Sequence, residues 1–263
     1  MSRGEWLKNI GNAMLDLVYP PGLYCISCGK ITDDSRTYRL CNDCMRSMNW
    51  ITPRHCAKCG RPLAETDPGS LCFGCSRREA NGSSYSFDKG YACAGYGAVE
   101  QAVIFDFKYG GRSDIGDVLG EILYDRMVSE YGADKLPAMY DLVVPVPTHR
   151  ERKLRRGFNH AGLMAESFAK RAGLRCDPEL MLRIKATAPM KGLGPEERTA
   201  NIRGAFTVRN SRIQQLENAS VLLIDDIFTT GATIDEAAKV LKQYGASRVD
   251  FLAFAGGADI IRG

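Results

Sequence analysis

Four CxxC pairs constrain this chain more than any other feature: CISC (25–28), CNDC (41–44), CAKC (56–59) and CFGC (72–75). The same twelve-residue gap separates Cys28 from Cys41 and Cys59 from Cys72, so the module repeats. A CxxC turn aims two thiolates at one tetrahedral ion about 2.3 Å away, and four thiolates complete its shell without an open position. Gly29 and Gly60 follow the second Cys of their pairs, where a turn of positive φ suits glycine. Cys25, Cys28, Cys41, Cys44, Cys56, Cys59, Cys72 and Cys75 therefore read as the ligands of two structural zinc ribbons. Disulfides would require an oxidising compartment, and a thioredoxin-like redox pair would stand as one CxxC at a helix start after a strand. Sequential and interleaved pairing of the four turns both satisfy the spacing. Cys93 and Cys176 have no partner at ligand spacing and read as small core residues.

The rest of the chain has a different character. Its 263 residues, 44% hydrophobic, suffice for one large or two modest cores. Residues 1–80 are turn-rich and carry the ribbons, NGSSYS (81–86) reads as a linker, and from 87 to 263 apolar runs alternate with helical patterns. In GEWLKNIGNAMLDLVYPP, Leu7, Ile10, Met14, Leu17 and Val18 share one helical face, while Asn9, Asn12 and Asp16 interrupt the run. That pattern describes an amphipathic docking helix ended by Pro20 and Pro21, not a secretory signal. No stretch is apolar enough to span a bilayer, so the expectation is a cytoplasmic protein and not an integral membrane one. The formal charge of +4 would be cancelled by two four-cysteine zinc sites, each doubly negative. Attraction to nucleic acid would then need a local basic patch.

Alternation of strands and helices argues an α/β domain around a parallel sheet. Strands are expected near 90–96, at DLVVPVP (141–147), AFTV (205–208), VLLI (221–224) and SRVDFLAFAG (247–256). Helices are expected near 99–107, 115–131, 158–173 and 231–245, the last two closed by Gly173 and Gly245. In VLLIDDIFTTGAT the central strand runs into Asp225 and Asp226 at its carboxyl edge, where open α/β sheets bind ligands. Residues 229–233 and the helix behind them offer free backbone N–H groups and a positive dipole end. Thr229, Thr230 and Thr233 add hydroxyls, and Gly231, with Ala232 beside it, lets the backbone close on an anion. Two acids would repel a phosphate unless they face an uncharged part of the same ligand, and a sugar phosphate meets both requirements.

This run resembles the 5-phosphoribosyl-1-pyrophosphate (PRPP) motif of type I phosphoribosyltransferases. The resemblance implies that Asp225 and Asp226 take ribose hydroxyls, that residues 229–233 hold the 5′-phosphate, and that Mg²⁺ accompanies PRPP. YPP before a four-Cys ribbon, FKYGGR (107–112), VPVPTHRERKLRRGFNHA (144–161) and ERTANIRGAF (197–206) extend the likeness. Together they resemble the ComF family, competence-associated proteins that join a zinc finger to a phosphoribosyltransferase-like domain. The implied fold is a type I phosphoribosyltransferase-like parallel-sheet domain preceded by a small Cys-rich double zinc-ribbon domain.

HRERKLRRGFNH (149–160) concentrates Arg150, Arg152, Lys153, Arg155 and Arg156 before Gly157 at a helix start. Its place resembles the pyrophosphate loop of phosphoribosyltransferases, and five cations suit a diphosphate or the backbone of single-stranded DNA equally. Phe158 reads as a core anchor rather than a base-stacking ring, and His160 as a helix-surface residue rather than a general base. Lys108 either caps the negative end of its helix or reaches the cleft that the family likeness places nearby. Residues 183–206, without clear periodicity, read as a mobile loop over the site, with Arg198 and Asn201 matching the ComF pattern. Lys185, Met190 and His160 depart from it. Two functions stay open: single-stranded DNA handling in DNA uptake, alongside other DNA-uptake proteins, or PRPP-dependent transfer to an unknown acceptor.

Overall fold

The structure, a computed structural model, describes residues 23–32, 37–51, 54–65, 67, 69–149, 158–187, 192 and 194–257. The expected helix over 7–18, residues 150–157 and Met190 lie outside the described residues.

The two cysteine quartets fold as copies of one knuckle. Cys25 N–H donates to the Lys30 carbonyl and Gly29 N–H to that of Cys25, at 2.8 and 3.0 Å. Cys56 to Arg61 and Gly60 to Cys56 repeat those bonds at 2.9 and 2.8 Å. Gly29 and Gly60 have φ of 72° and 70°, the left-handed turn their sequence position predicts. Helices α1 (Asn42–Ser47) and α2 (Phe73–Ala80) each begin inside the second CxxC of their module.

Beyond them come β1 (Gly90–Gly95), α3 (Ala98–Tyr109), α4 (Ile115–Tyr131), α5 (Leu136–Met139) and β2 (Leu142–Pro145). Next are α6 (His160–Ala172), β3 (Met181–Arg183), α7 (Pro195–Ile202) and β4 (Phe206–Val208). β5 (Ser220–Phe228), α8 (Ala232–Gln243) and β6 (Arg248–Gly256) complete the chain. A parallel sheet runs in the order β1-β6-β5-β2, and β3 pairs antiparallel with β4 apart from it. Strands buried on both faces read as continuous apolar runs, which is how VLLI and FLAFA appear in the sequence. Alternate residues feed two cores. Leu222 and Ile224 pack with α4 and α6, whereas Val221 and Leu223 pack with α8 and the β3–β4 pair.

Each ribbon takes one face of this sheet. Cys25 and Cys44 belong to the core on the α4 side, and Cys56, Cys59, Cys72 and Cys75 to the core on the α8 side. Between them, residues 49–51 lie along the open edge of β1. Ile51 N–H donates to the Cys93 carbonyl (2.9 Å) and Gly95 N–H to that of Asn49 (2.7 Å), so the edge strand is covered. The linker is tied down at its far end: Tyr85 is buried and stacks on Phe87 at 4.6 Å. Ser86 N–H donates to Asp235 Oδ1 (2.6 Å).

Two expectations change. The central strand does not end at Ile224 but continues through both acids to Phe228, because β6 pairs with it along its whole length, Asp225 against Ala253 and Phe228 against Gly256. That ladder outweighs the poor strand preference of Asp. The segment 183–206 is not one aperiodic loop. It holds the end of β3, helix α7 and the start of β4. The signal for α7 was present as Gly-Pro-Glu-Glu, with Pro195 in the first turn and Glu197 accepting from Gly194 N–H at 2.7 Å. Among the described residues no helix is long and apolar enough to cross a membrane.

Gly60 and Gly29 share a left-handed φ but differ in what surrounds them. A Cβ at Gly60 would stand 2.4 Å from the Gly90 carbonyl oxygen, whereas one at Gly29 meets nothing within 4 Å. Gly29→Ala should cost about 1–2 kcal/mol of backbone strain. Gly60→Ala should cost roughly 2 kcal/mol more, because backbone must move against backbone. Denaturant unfolding of the two variants side by side checks this, and equal losses would contradict the close seating of the second ribbon.

Candidate functional site

The metal centres are resolved as sequential quartets. In each of Cys25, Cys28, Cys41, Cys44 and Cys56, Cys59, Cys72, Cys75 the Sγ atoms all lie within 4.8 Å of one another. Cys28 to Cys41 and Cys59 to Cys72 measure 3.7 Å between Sγ atoms. A tetrahedron with Zn–S bonds of about 2.3 Å has an S···S edge of about 3.8 Å, so both donor sets fit zinc. The second quartet is fully buried, while Cys28 of the first is exposed. Cys93 is buried and Cys176 half-buried, both packed with the core as expected.

The second centre of interest lies at the carboxyl end of β5. Arg198 and residues 227–234 line an open pocket there. Gly231 has φ 81° and precedes α8, whose first internal bond runs from Asp235 N–H to the Gly231 carbonyl at 2.8 Å. The first-turn N–H groups of Ala232 and Thr233 thus have no partner within the helix. From α7, Arg198 Nη1 donates to Thr229 Oγ1 at 3.3 Å, and Asn201 lies one turn along that helix. Helix α3 brings Lys108, whose Nζ sits 2.6 Å from Asp226 Oδ2. Of the two readings of Lys108, the structure supports the one that reaches the acids.

Successive side chains leave an extended strand on opposite sides. Asp226, buried, therefore turns to Lys108, while Asp225, half-buried, accepts from the Asp226 N–H at 2.9 Å. Burial, reinforced by the Asp226 charge, pushes the Asp225 carboxyl up to about 7, with Lys108 and Arg183 pulling the other way. Unliganded, the pair is far from the doubly negative patch that the adjacent letters DD suggest.

Two family models match this chain: a double zinc ribbon domain over residues 14–76 and a phosphoribosyl transferase domain over residues 154–259. Competence protein F of Haemophilus influenzae is 27% identical over 82% of this chain and 90% of its own length. Competence protein ComFC of Bacillus subtilis is 25% identical over 85% and 90%. The chain belongs to the ComF family. DNA utilization protein YhgH of Salmonella typhi is similar to it as well, at 26% identity over 80% of this chain and 87% of the relative.

In this ComF chain the remaining expected residues divide. Arg152, Arg155, Arg156 and Gly157 lie outside the described residues. Thr148 Oγ1 donates to Asn159 Oδ1 at 3.0 Å. Pro145 of β2 pairs with Ile224 of β5, so the chain leaves β2 on the edge that carries Asp225. Phe158 packs against the core, its ring 6.3 Å from Phe107. His160 is not a helix-surface residue. It is 2% exposed, with Phe107 and Phe158 rings at 4.8 and 4.7 Å, because the face of α6 it occupies is the one turned to α3. Two residues at the site escaped sequence reasoning. Arg61, behind the second knuckle, donates from Nη2 to the Thr229 carbonyl (2.6 Å), and the Tyr85 hydroxyl donates to the Thr230 carbonyl (3.0 Å). The available signal was that CAKCGR and CISCGK put a cation at the same place in both repeats.

An ordinary Asp gives up its proton near 3.9, whereas Asp225 holds it to about 7. Between those values the folded state binds more protons, so this group's contribution to stability falls as pH rises. Asp225→Asn removes the effect. Its stability relative to wild type should be nearly unchanged below about pH 4, climb between about pH 4 and 7, and level off above that at a gain of up to about 4 kcal/mol, read by denaturant unfolding across pH. A gain independent of pH would contradict the burial of this carboxyl. Metal analysis should return two zinc ions per chain, and Cys72→Ser should lose one of them.

Proposed function

We propose that this chain binds PRPP with Mg²⁺ at the end of β5 and acts in DNA uptake and utilization in the cytoplasm, handling single-stranded DNA. The observation that carries the ligand reading is the meeting of Asp225, Asp226, Lys108 and Arg198 at one glycine-hinged loop. In that reading residues 229–233 hold the 5′-phosphate with backbone N–H groups and Thr hydroxyls, with Arg198 beside them. The acids at 225 and 226 take the ribose hydroxyls, and Lys108, released from Asp226, faces the pyrophosphate. Mg²⁺ would come with the ligand and offset the charge of its pyrophosphate. Arg152, Arg155 and Arg156 supply cations for pyrophosphate or for the DNA backbone. The process is supported by the relatives, whose names describe competence and DNA utilization. Residues 1–80 act as the ribbon domain and 87–263 as the PRPP-binding domain. Phosphoribosyl transfer to an acceptor is the second reading, favoured by Arg198 standing on α7 at the mouth of the pocket.

PRPP–Mg²⁺ at about one hundred times its Kd should stabilise the protein by about 2.7 kcal/mol, visible as a rise in Tm. Asp225→Asn with Asp226→Asn should abolish the rise, and an undiminished shift would refute this site. Single-stranded DNA should bind with an affinity whose logarithm falls with log salt by about 0.7 per phosphate contact, and Arg155→Ala with Arg156→Ala should reduce that slope. Pyrophosphate release upon adding bases or nucleosides would decide for transfer.

A further inference from the structure

The phosphate loop gives two of its carbonyl oxygens to residues that lie outside the phosphoribosyl transferase domain. Arg61 bonds the carbonyl of Thr229 and Tyr85 that of Thr230. Neither partner is a loose surface side chain. Arg61 is 3% exposed, its guanidinium stands 4.9 Å from the Phe228 ring, and its own carbonyl accepts from Cys56 N–H to close the second knuckle. Tyr85 is stacked on Phe87, and the Arg78 guanidinium stands 4.1 Å from the Tyr85 ring centroid. A metal-held turn, a rigid side chain and the loop thus form one continuous chain of contacts.

The consequence follows from peptide geometry. A trans peptide is planar, with its C=O and N–H on opposite edges. Tying the Thr229 carbonyl to Arg61 turns the N–H of Thr230 the other way, and tying the Thr230 carbonyl to Tyr85 does the same for Gly231. An anion cradle needs N–H groups converging on one concavity and carbonyls turned out of it. The repeat supplies an internal contrast. Lys30 occupies in the first ribbon the place of Arg61, yet its side chain is 69% exposed and pairs only loosely with Asp43 at 3.7 Å.

We infer that the second zinc ribbon positions the anion loop: Arg61, set by the Cys56–Cys59 knuckle, and Tyr85 hold residues 229–231 in the orientation that accepts a phosphate. The first ribbon takes no part. Occupancy of the second metal site and binding at the loop are then coupled, and by linkage each favours the other. The ligand half of this inference rests on residues 229–233 being a phosphate loop. The orientation half can be measured with no ligand present.

The zinc-loaded full chain is used throughout, as wild type, Arg61→Met, Arg61→Lys, Tyr85→Phe and Lys30→Met. Amide hydrogen exchange is read at residues 229–233, with β2 as the reference for general loosening. Arg61→Met should speed exchange in the loop about tenfold, the loss expected of one charge-assisted hydrogen bond, and leave β2 unchanged. Tyr85→Phe should do so to a smaller degree and Lys30→Met not at all. In titrations with PRPP–Mg²⁺, Kd should rise about tenfold in Arg61→Met, recover in part in Arg61→Lys and stay at the wild-type value in Lys30→Met. Wild-type exchange in the Arg61→Met loop overturns the inference, as do equal effects of Arg61→Met and Lys30→Met. If the wild-type chain binds no PRPP while loop exchange still responds to Arg61 alone, the ligand reading fails and the positioning role stands.

Discussion

The ladder between β5 and β6 is the interaction on which the rest depends. It runs from Ser220 against Arg248 to Phe228 against Gly256, so the strand that begins as an apolar core element ends as the floor of the pocket. Without that length, Asp225 and Asp226 would sit in a loop and their side chains would have no assigned sides. With it, strand alternation sends Asp226 to Lys108 and leaves Asp225 half-buried, with a carboxyl that holds its proton more tightly than an ordinary Asp.

The ladder in turn needs cover on both faces and at its edge, and the ribbons contribute to each. A small cysteine-rich module has little core of its own, so metal ligation and docking on a larger domain have to supply its stability. Here the two knuckles sit on opposite faces of one sheet while residues 49–51 close the edge of β1. Glu100, at 0% exposed, seals the seam by accepting from Gly97 N–H at the start of α3 and from the Asn49 N–H of the ribbon. At the other end of α3 stands Lys108, so one helix links the first ribbon to the acids, as Arg61 links the second ribbon to the loop.

Charge at the site follows the same economy. Two adjacent carboxylates repel each other, and the protein relieves this with a lysine on Asp226 and a raised proton affinity at Asp225.

Much of this was legible in the primary structure because the signals were local. Cysteine spacing declared two metal quartets, the VLLI and FLAFA runs declared buried parallel strands, and DDIFTTGAT declared a glycine-hinged turn into a helix after a pair of acids. Local patterns could not say which quartet partners met, since sequential and interleaved pairings share one spacing; only the Sγ positions chose the sequential one. They could not say that Arg61 is buried while Lys30, its repeat counterpart, is exposed, because burial depends on what a distant strand presents to each knuckle. Nor could they separate Asp225 from Asp226, or place Asp250 in the core against Arg248 and the Tyr140 hydroxyl. The sequence by itself determined the kinds of element and the cysteine donor sets of the two metal sites, through periodicity and residue type. The tertiary structure decided which charges are neutralised and which ribbon touches the loop, because those depend on contacts between residues more than 100 positions apart.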